Sequence, residues 1–122
     1  MKSTDGIRHF HAHIYFDART RDKAWALRER TAEAFGDVQV GRFHEREVGP
    51  HSAWMYQVAF RPDQFGFFVP WLALNRDGLS VLVHPGTGDG LADHTDHAIW
   101  MGDRLPIKRD HWKVRRPPTD VL

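Results

Sequence analysis

The chain has no cysteine among its 122 residues, which removes disulfides and thiolate ligands together, so any bound metal must be held by imidazole nitrogen or by oxygen. Long apolar runs are missing too. Nothing approaches the roughly 20 apolar residues of a membrane span, and Met1 is followed by Lys2, Ser3, Thr4 and Asp5 rather than by an apolar leader. A soluble, cytoplasmic protein without a membrane partner is the expectation. An excess of one charge is also lacking: 17 basic against 16 acidic residues leave +1, and the only basic block is Lys113-Val114-Arg115-Arg116. That balance gives no electrostatic footprint for nucleic acid. With no repeat and no linker before Pro117-Pro118, one domain is expected over residues 6–112, followed by an irregular tail over 113–122.

Histidine and tryptophan are what the chain does have, at nine and five residues, and both need polar partners when buried. The apolar pattern says where they fall. Phe10, Ala12, Ile14 and Phe16 alternate with His9, His11, His13 and Tyr15, the signature of a two-faced strand. A helix is expected from an N-cap at Thr20 to Phe35, with Ala24, Leu27 and Thr31 on its inner stripe and Gly36 as its stop. A second strand is expected over Val38 to Val48, a third over Ala53 to Phe60 and a fourth over Leu79 to His84. Between the last two, a helix should run from Pro62 to Asn75, kinked or restarted at Pro70. Asp93 to Trp100 reads as a short helix closed by Gly102.

This order is β-α-β-β-α-β, an α+β fold of the ferredoxin-like kind: an antiparallel sheet with helices on one face and the other uncovered. The first and third strands are taken as the central, parallel pair, with the fourth antiparallel beside the first. Parity then places His11, His13 and His84 on the open face, where His51 can join them from its turn. Histidines two apart on a strand are about 7 Å apart at Cα, close enough for both rings to reach one ion. His11, His13, His51 and His84 therefore form a candidate metal or proton-transfer site. His94, three residues before His97, is a candidate acid–base group or the start of a helical turn. His44 and His111 read as surface residues.

The runs His11-Ala12-His13-Ile14-Tyr15-Phe16, Gly49-Pro50-His51, Trp71 with Asn75, Leu82-Val83-His84-Pro85 and Asp93-His94-Thr95 with Trp100 together resemble the DOPA 4,5-dioxygenase family, in its small single-domain form. The resemblance spans about His9 to Leu105. It implies extradiol cleavage of DOPA or a related catechol by dioxygen, with ferrous iron as cofactor and zinc or nickel able to replace it in a purified sample. Carried over by motif, His11, His13, His51 and His84 become metal-ligand candidates, His94 the acid–base group, and Tyr15, Trp71 and Asn75 substrate contacts. A carboxylate from Glu45, Glu47, Asp89 or Asp93 stays open as a further ligand, as does an all-histidine set. Two other readings compete. One is a non-catalytic metal- or ligand-binding domain, the bare sheet face being expected on either reading to pair two copies into a homodimer. The other is an RNA-binding module, which the near-neutral charge and the lack of a basic-Gly-aromatic signature on the central strands disfavour.

Overall fold

In the computed structural model, which describes residues 1–113, alternation and helical periodicity produce the expected elements in the expected order. The tail foreseen over 113–122 lies outside the described residues except for Lys113. Strand β1 (His9–Phe16) leads to helix α1 (Arg21–Ala34), a short strand β2 (Gln39–Val40), strand β3 (Trp54–Phe60), helix α2 (Phe65–Asn75) and strand β4 (Val81–Gly86). A five-residue helix α3 (Gly90–His94) and a strand β5 (Ile99–Met101) follow. The sheet order is β2-β3-β1-β4-β5. No described helix is long and apolar enough to cross a membrane.

One side of the sheet forms the main core. Ala12, Ile14 and Phe16 of β1 with Val81 and Val83 of β4 pack against Ala24 and Leu27 of α1 and Phe68 and Leu72 of α2. This is the alternation that sequence periodicity specified. Phe68 is fully buried among Phe35, Phe60 and Trp71, so Phe68→Ala is expected to cost about 3–5 kcal/mol, read as a fall in the urea midpoint.

Four expectations need correction. The central strands β1 and β3 are antiparallel, with Phe10 opposite Phe60 and Phe16 opposite Trp54: α1 brings the chain back to run β2 alongside β1's direction, and β3 reverses between them. The second strand is not Val38 to Val48. Only Gln39 and Val40 pair with β3, and His44 adds one isolated bridge to Met55, because Gly41 and a run of charged residues leave little to bury. Asp93 to Trp100 is not a helix either. The helix is earlier, capped by the Asp89 side chain, and Ile99 to Met101 pair with Val83 to Val81 as a fifth strand.

The last correction matters most for function. The second sheet face is not bare, since Tyr15, Met55 and Leu82 are buried there against Val48, Ala53, Ala98, Trp100, Leu105 and Ile107. Two irregular segments roof it. They are joined by a bridge between His51 and Ile107, by the Lys108 amide donating to Pro50 O at 2.8 Å, and by the Ser52 hydroxyl donating to Pro106 O at 2.6 Å. The expectation of a second copy on this face rested on its being uncovered.

Candidate metal centre

Between sheet and roof lie five imidazoles. His11 and His13 come from β1, His84 from β4 directly opposite His11, His51 from the roof and His94 from the end of α3. His13 is the hub: its ring centroid is 4.1 Å from His51, 5.0 Å from His84, 5.7 Å from His94 and 5.9 Å from His11. His13, His51 and His84 are buried, His94 and His11 half-buried. His51 reaches His13 from the Tyr15 end of β1, because antiparallel pairing sets the start of β3 beside the end of β1.

Hydrogen bonds fix which nitrogens remain available. The His84 Nδ1–H donates to Pro85 O at 2.9 Å and the His94 Nδ1–H to Gly90 O at 2.7 Å. A carbonyl only accepts, so both rings carry their proton on Nδ1 and present Nε2 as a bare lone pair, the arrangement common in metal-binding histidines. His51 Nδ1 faces the Tyr15 hydroxyl at 2.7 Å. His13 Nε2 is 3.0 Å from His84 Nε2. Among the described residues three buried ring nitrogens have no partner, His13 Nδ1 and His51 Nε2 within the cluster and His44 Nε2 outside it.

Burial decides the charge of the cluster. Desolvation holds His13 and His84 well below the ordinary imidazole range and lowers His51 to about 3, with repulsion from neighbouring histidines adding to it. His94 is lowered by the same cause, opposed by its bond to Gly90 and by Asp93. Burial raises the Tyr15 phenol, so it stays protonated. His13, His51, His84 and His94 thus favour the neutral form with nitrogen lone pairs, which is what a divalent ion requires of imidazole ligands.

These nitrogens form two triplets with ligand atoms mutually within 4.8 Å: His11, His13 and His84, and His13, His51 and His94. Among the described residues no carboxylate joins either. Glu45 is paired with Arg21, Glu47 with Lys108 at 2.9 Å, and Asp89 caps α3. Asp93 accepts from the amide and hydroxyl of Thr87 at 2.9 and 2.7 Å, which fastens the loop after β4. The unpartnered nitrogens and the all-nitrogen donor set fit a borderline divalent metal.

A cleft of about 360 Å³ borders the cluster, lined among others by His9, His11, Gln39, Ala59 and Arg61. Ala59 is its floor. It stands between His11 and Gln39 across the strands, and its single methyl leaves the space above it open.

The sequence profile of the Dopa 4,5-dioxygenase family matches residues 10–111, which takes in all five clustered histidines. The chain belongs to that family. It is 32% identical over 126 aligned positions to a DOPA 4,5-dioxygenase of Amanita muscaria and 43% identical over 114 to an uncharacterised 21.2 kDa protein of Botryotinia fuckeliana. The alignments cover 91% and 84% of this chain but only 55% and 62% of those relatives. A crystal structure from Nostoc punctiforme, described provisionally as a dioxygenase, superposes with a TM-score of 0.89 at 47% identity, covering 93% of this chain and 97% of that one.

Within this family member, the structure brings together His11, His13, His51, His84 and His94, with Tyr15 behind His51. It does not bring Trp71 or Asn75 to them. Trp71 packs on Phe35 and Phe68 in the helix-side core, and the Asn75 amide donates to Trp71 O within α2. Trp54 packs edge-on to Phe16, also against the helix-side core. Two contributors escaped the sequence. Gly90 O sits four residues before His94, a helical spacing visible only if α3 is started at Gly90, and the Trp112 ring lies 5.1 Å from that of His94 at a tilt of 50°, for which the sequence carries no signal.

Proposed function

We propose that this chain is an iron(II)-dependent extradiol dioxygenase that opens the ring of DOPA or a related catechol with dioxygen. The supporting observation is the neutral, nitrogen-only cluster around His13 in a member of a dioxygenase family. A ferrous ion there would supply binding positions for dioxygen and for both catechol oxygens. His11, His13 and His84 are the residues to hold it during turnover, since His11 alone of the cluster lines the cleft; zinc or nickel would be accepted by the same nitrogens.

The remaining groups handle substrate and protons. Ala59 gives the aromatic ring a place beside His11. His94, with Nε2 bare and its ring oriented by Gly90, accepts a hydroxyl proton from the bound catechol. His51, held by the Tyr15 hydroxyl, is the second imidazole able to keep or return a proton. The catalytic unit on this reading is the domain over residues 6–112, acting in the cytoplasm on a small molecule rather than on nucleic acid.

Anaerobic loading with ferrous ion, followed by DOPA and air, should consume oxygen and give a yellow product heavier by two oxygen atoms. No oxygen uptake above the metal-free control with any catechol tested would end this reading. Filling the cleft provides a second check. Ala59→Phe is expected to lower kcat/KM for catechols by about tenfold or more, the effect of a sub-optimal pocket fit of 1–3 kcal/mol, with ferrous content unchanged.

A further inference from the structure

The cleft beside the imidazoles ends in charge. Ala59 stands opposite His11 on one side and opposite Gln39 on the other, so a row of His11, Ala59 and Gln39 crosses the sheet from β1 to β2. Arg61, two residues past Ala59 in extended backbone, falls on the same side of the pleat. From strand and residue spacings, Gln39 and Arg61 both stand about 8–10 Å from His11 at Cα. Asp37 and Gln64 complete this end of the cleft. The end away from the imidazoles thus holds one cation, one anion and two amides.

The two charges are joined only loosely. Arg61 donates to the Asp63 carboxylate from Nε at 3.0 Å and from Nη2 at 3.3 Å, which fixes the plane of the guanidinium. Asp37 accepts from Nη2 only at 3.5 Å, and Nη1, with two N–H donors, has no partner among the described residues. Gln64 is buried, and its Oε1 accepts from the Arg61 amide at 2.8 Å. The other end of that side chain is therefore an NH2 group, a pure donor. A guanidinium edge with free donors, beside a carboxylate held at the limit of bonding, is a matched pair of receivers. An incoming carboxylate takes Nη1 and Nη2, and the displaced Asp37 is left to take a cation.

We infer that Arg61 and Asp37 are the specificity pair of the cleft, Arg61 receiving a carboxylate and Asp37 an ammonium, so that the preferred substrate is a catechol carrying a free α-amino acid. With the catechol oxygens at His11 and the ring over Ala59, a three-carbon chain on the far edge of the ring covers the remaining distance. Its carboxylate lies along the Nη1–Nη2 edge in two parallel bonds, with the Gln64 amide as a further donor. A catechol bearing a carboxylate alone breaks the Arg61–Asp37 contact and gives Asp37 nothing in return. One bearing an ammonium alone gains Asp37 but faces the Arg61 charge. Only the zwitterion answers both.

This inference rests on the proposed function for the catechol, and binding to the zinc-loaded full chain reads it without turnover. Anaerobic titration calorimetry would compare DOPA with dihydrocaffeate, which has the carboxylate alone, dopamine, which has the ammonium alone, and methylcatechol, which has neither. DOPA should bind about tenfold more tightly than either singly charged catechol, the worth of a hydrogen-bonded charge. Arg61→Gln should remove the preference for DOPA over dopamine, and Asp37→Asn the preference for DOPA over dihydrocaffeate. Both side chains are largely exposed, at 56% and 65%, so the variants keep the fold, with circular dichroism as the control. A zinc-loaded chain that binds DOPA no better than methylcatechol, or variants that weaken all four ligands by one factor, would overturn the assignment. The ferrous chain separates this from the reaction. Oxygen uptake with all four catechols at one kcat/KM would remove the specificity pair and keep the dioxygenase, whereas the expected binding split without any oxygen uptake would keep the pair and remove the dioxygenase.

Discussion

Replacing His13 by alanine is expected to abolish ferrous binding and, with it, oxygen uptake. Every other histidine of the cluster belongs to one triplet, whereas His13 belongs to both, so its loss leaves neither with three ligands. Disturbing residues that merely orient a metal ligand costs about 10–100-fold in affinity; removing the shared ligand should exceed that. The measurement is metal content after anaerobic loading and desalting, with circular dichroism as the folding control. A His13→Ala chain that keeps one iron and half its turnover would show that the cluster has another centre. His13→Ala should also be the more acid-resistant protein, for a reason that concerns the whole domain.

Acid is expected to destabilise this protein progressively as pH falls below about 6.5. His13, His51 and His84 are buried and held neutral, all below their ordinary value of 6.5 and His51 at about 3. In the unfolded chain they take up protons near 6.5. Below that pH the unfolded state binds more protons than the folded one, so stability is complete above about 6.5 and declines as pH falls toward the folded values. Each such group costs about 1.4 kcal/mol per pH unit. His51 alone, two units below 6.5, withdraws about 3 kcal/mol, and His13 and His84 act in the same direction, against the 5–15 kcal/mol that holds a domain together. Tryptophan fluorescence against pH gives the midpoint, which should move lower in His13→Ala and, by mass action, on loading the wild type with metal. A midpoint unmoved by both changes would mean that the cluster does not govern acid stability.

The elements with long, clean periodicity are legible in the sequence. β1, α1, β3 and α2 each bury one face of a repeating pattern, and the parity of β1 and β4 correctly assigned His11, His13 and His84 to the side away from the helices. What failed depended on pairing rather than pattern. Ile99-Trp100-Met101 is too short to declare itself a strand and becomes one only by bonding to β4. Val38 to Val48 is long enough to look like one but has a partner for only two residues plus a single bridge. Strand direction carries no local signal because it is set by the whole path through α1 and β2. Trp71 and Asn75 entered through a family motif, while helical spacing from the core residue Phe68 already pointed Trp71 toward the opposite layer. The carbonyl partners of His84 and His94 were beyond reach, since backbone oxygens leave no mark in a sequence.

The roof over the histidines has a consequence for the order of events in folding. It is closed by contacts between residues 50–52 and 106–108, partners more than fifty positions apart that gain nothing until the intervening sheet has formed. The sheet and its helix-side core can assemble while the opposite face is still open to water, with its imidazoles hydrated. Only the late docking of the 106–108 segment dries them. Metal capture and folding thus overlap in time: an ion that arrives before the roof closes finds solvated ligands on every side, and one that arrives afterwards reaches the buried imidazoles past half-buried His11, from the cleft.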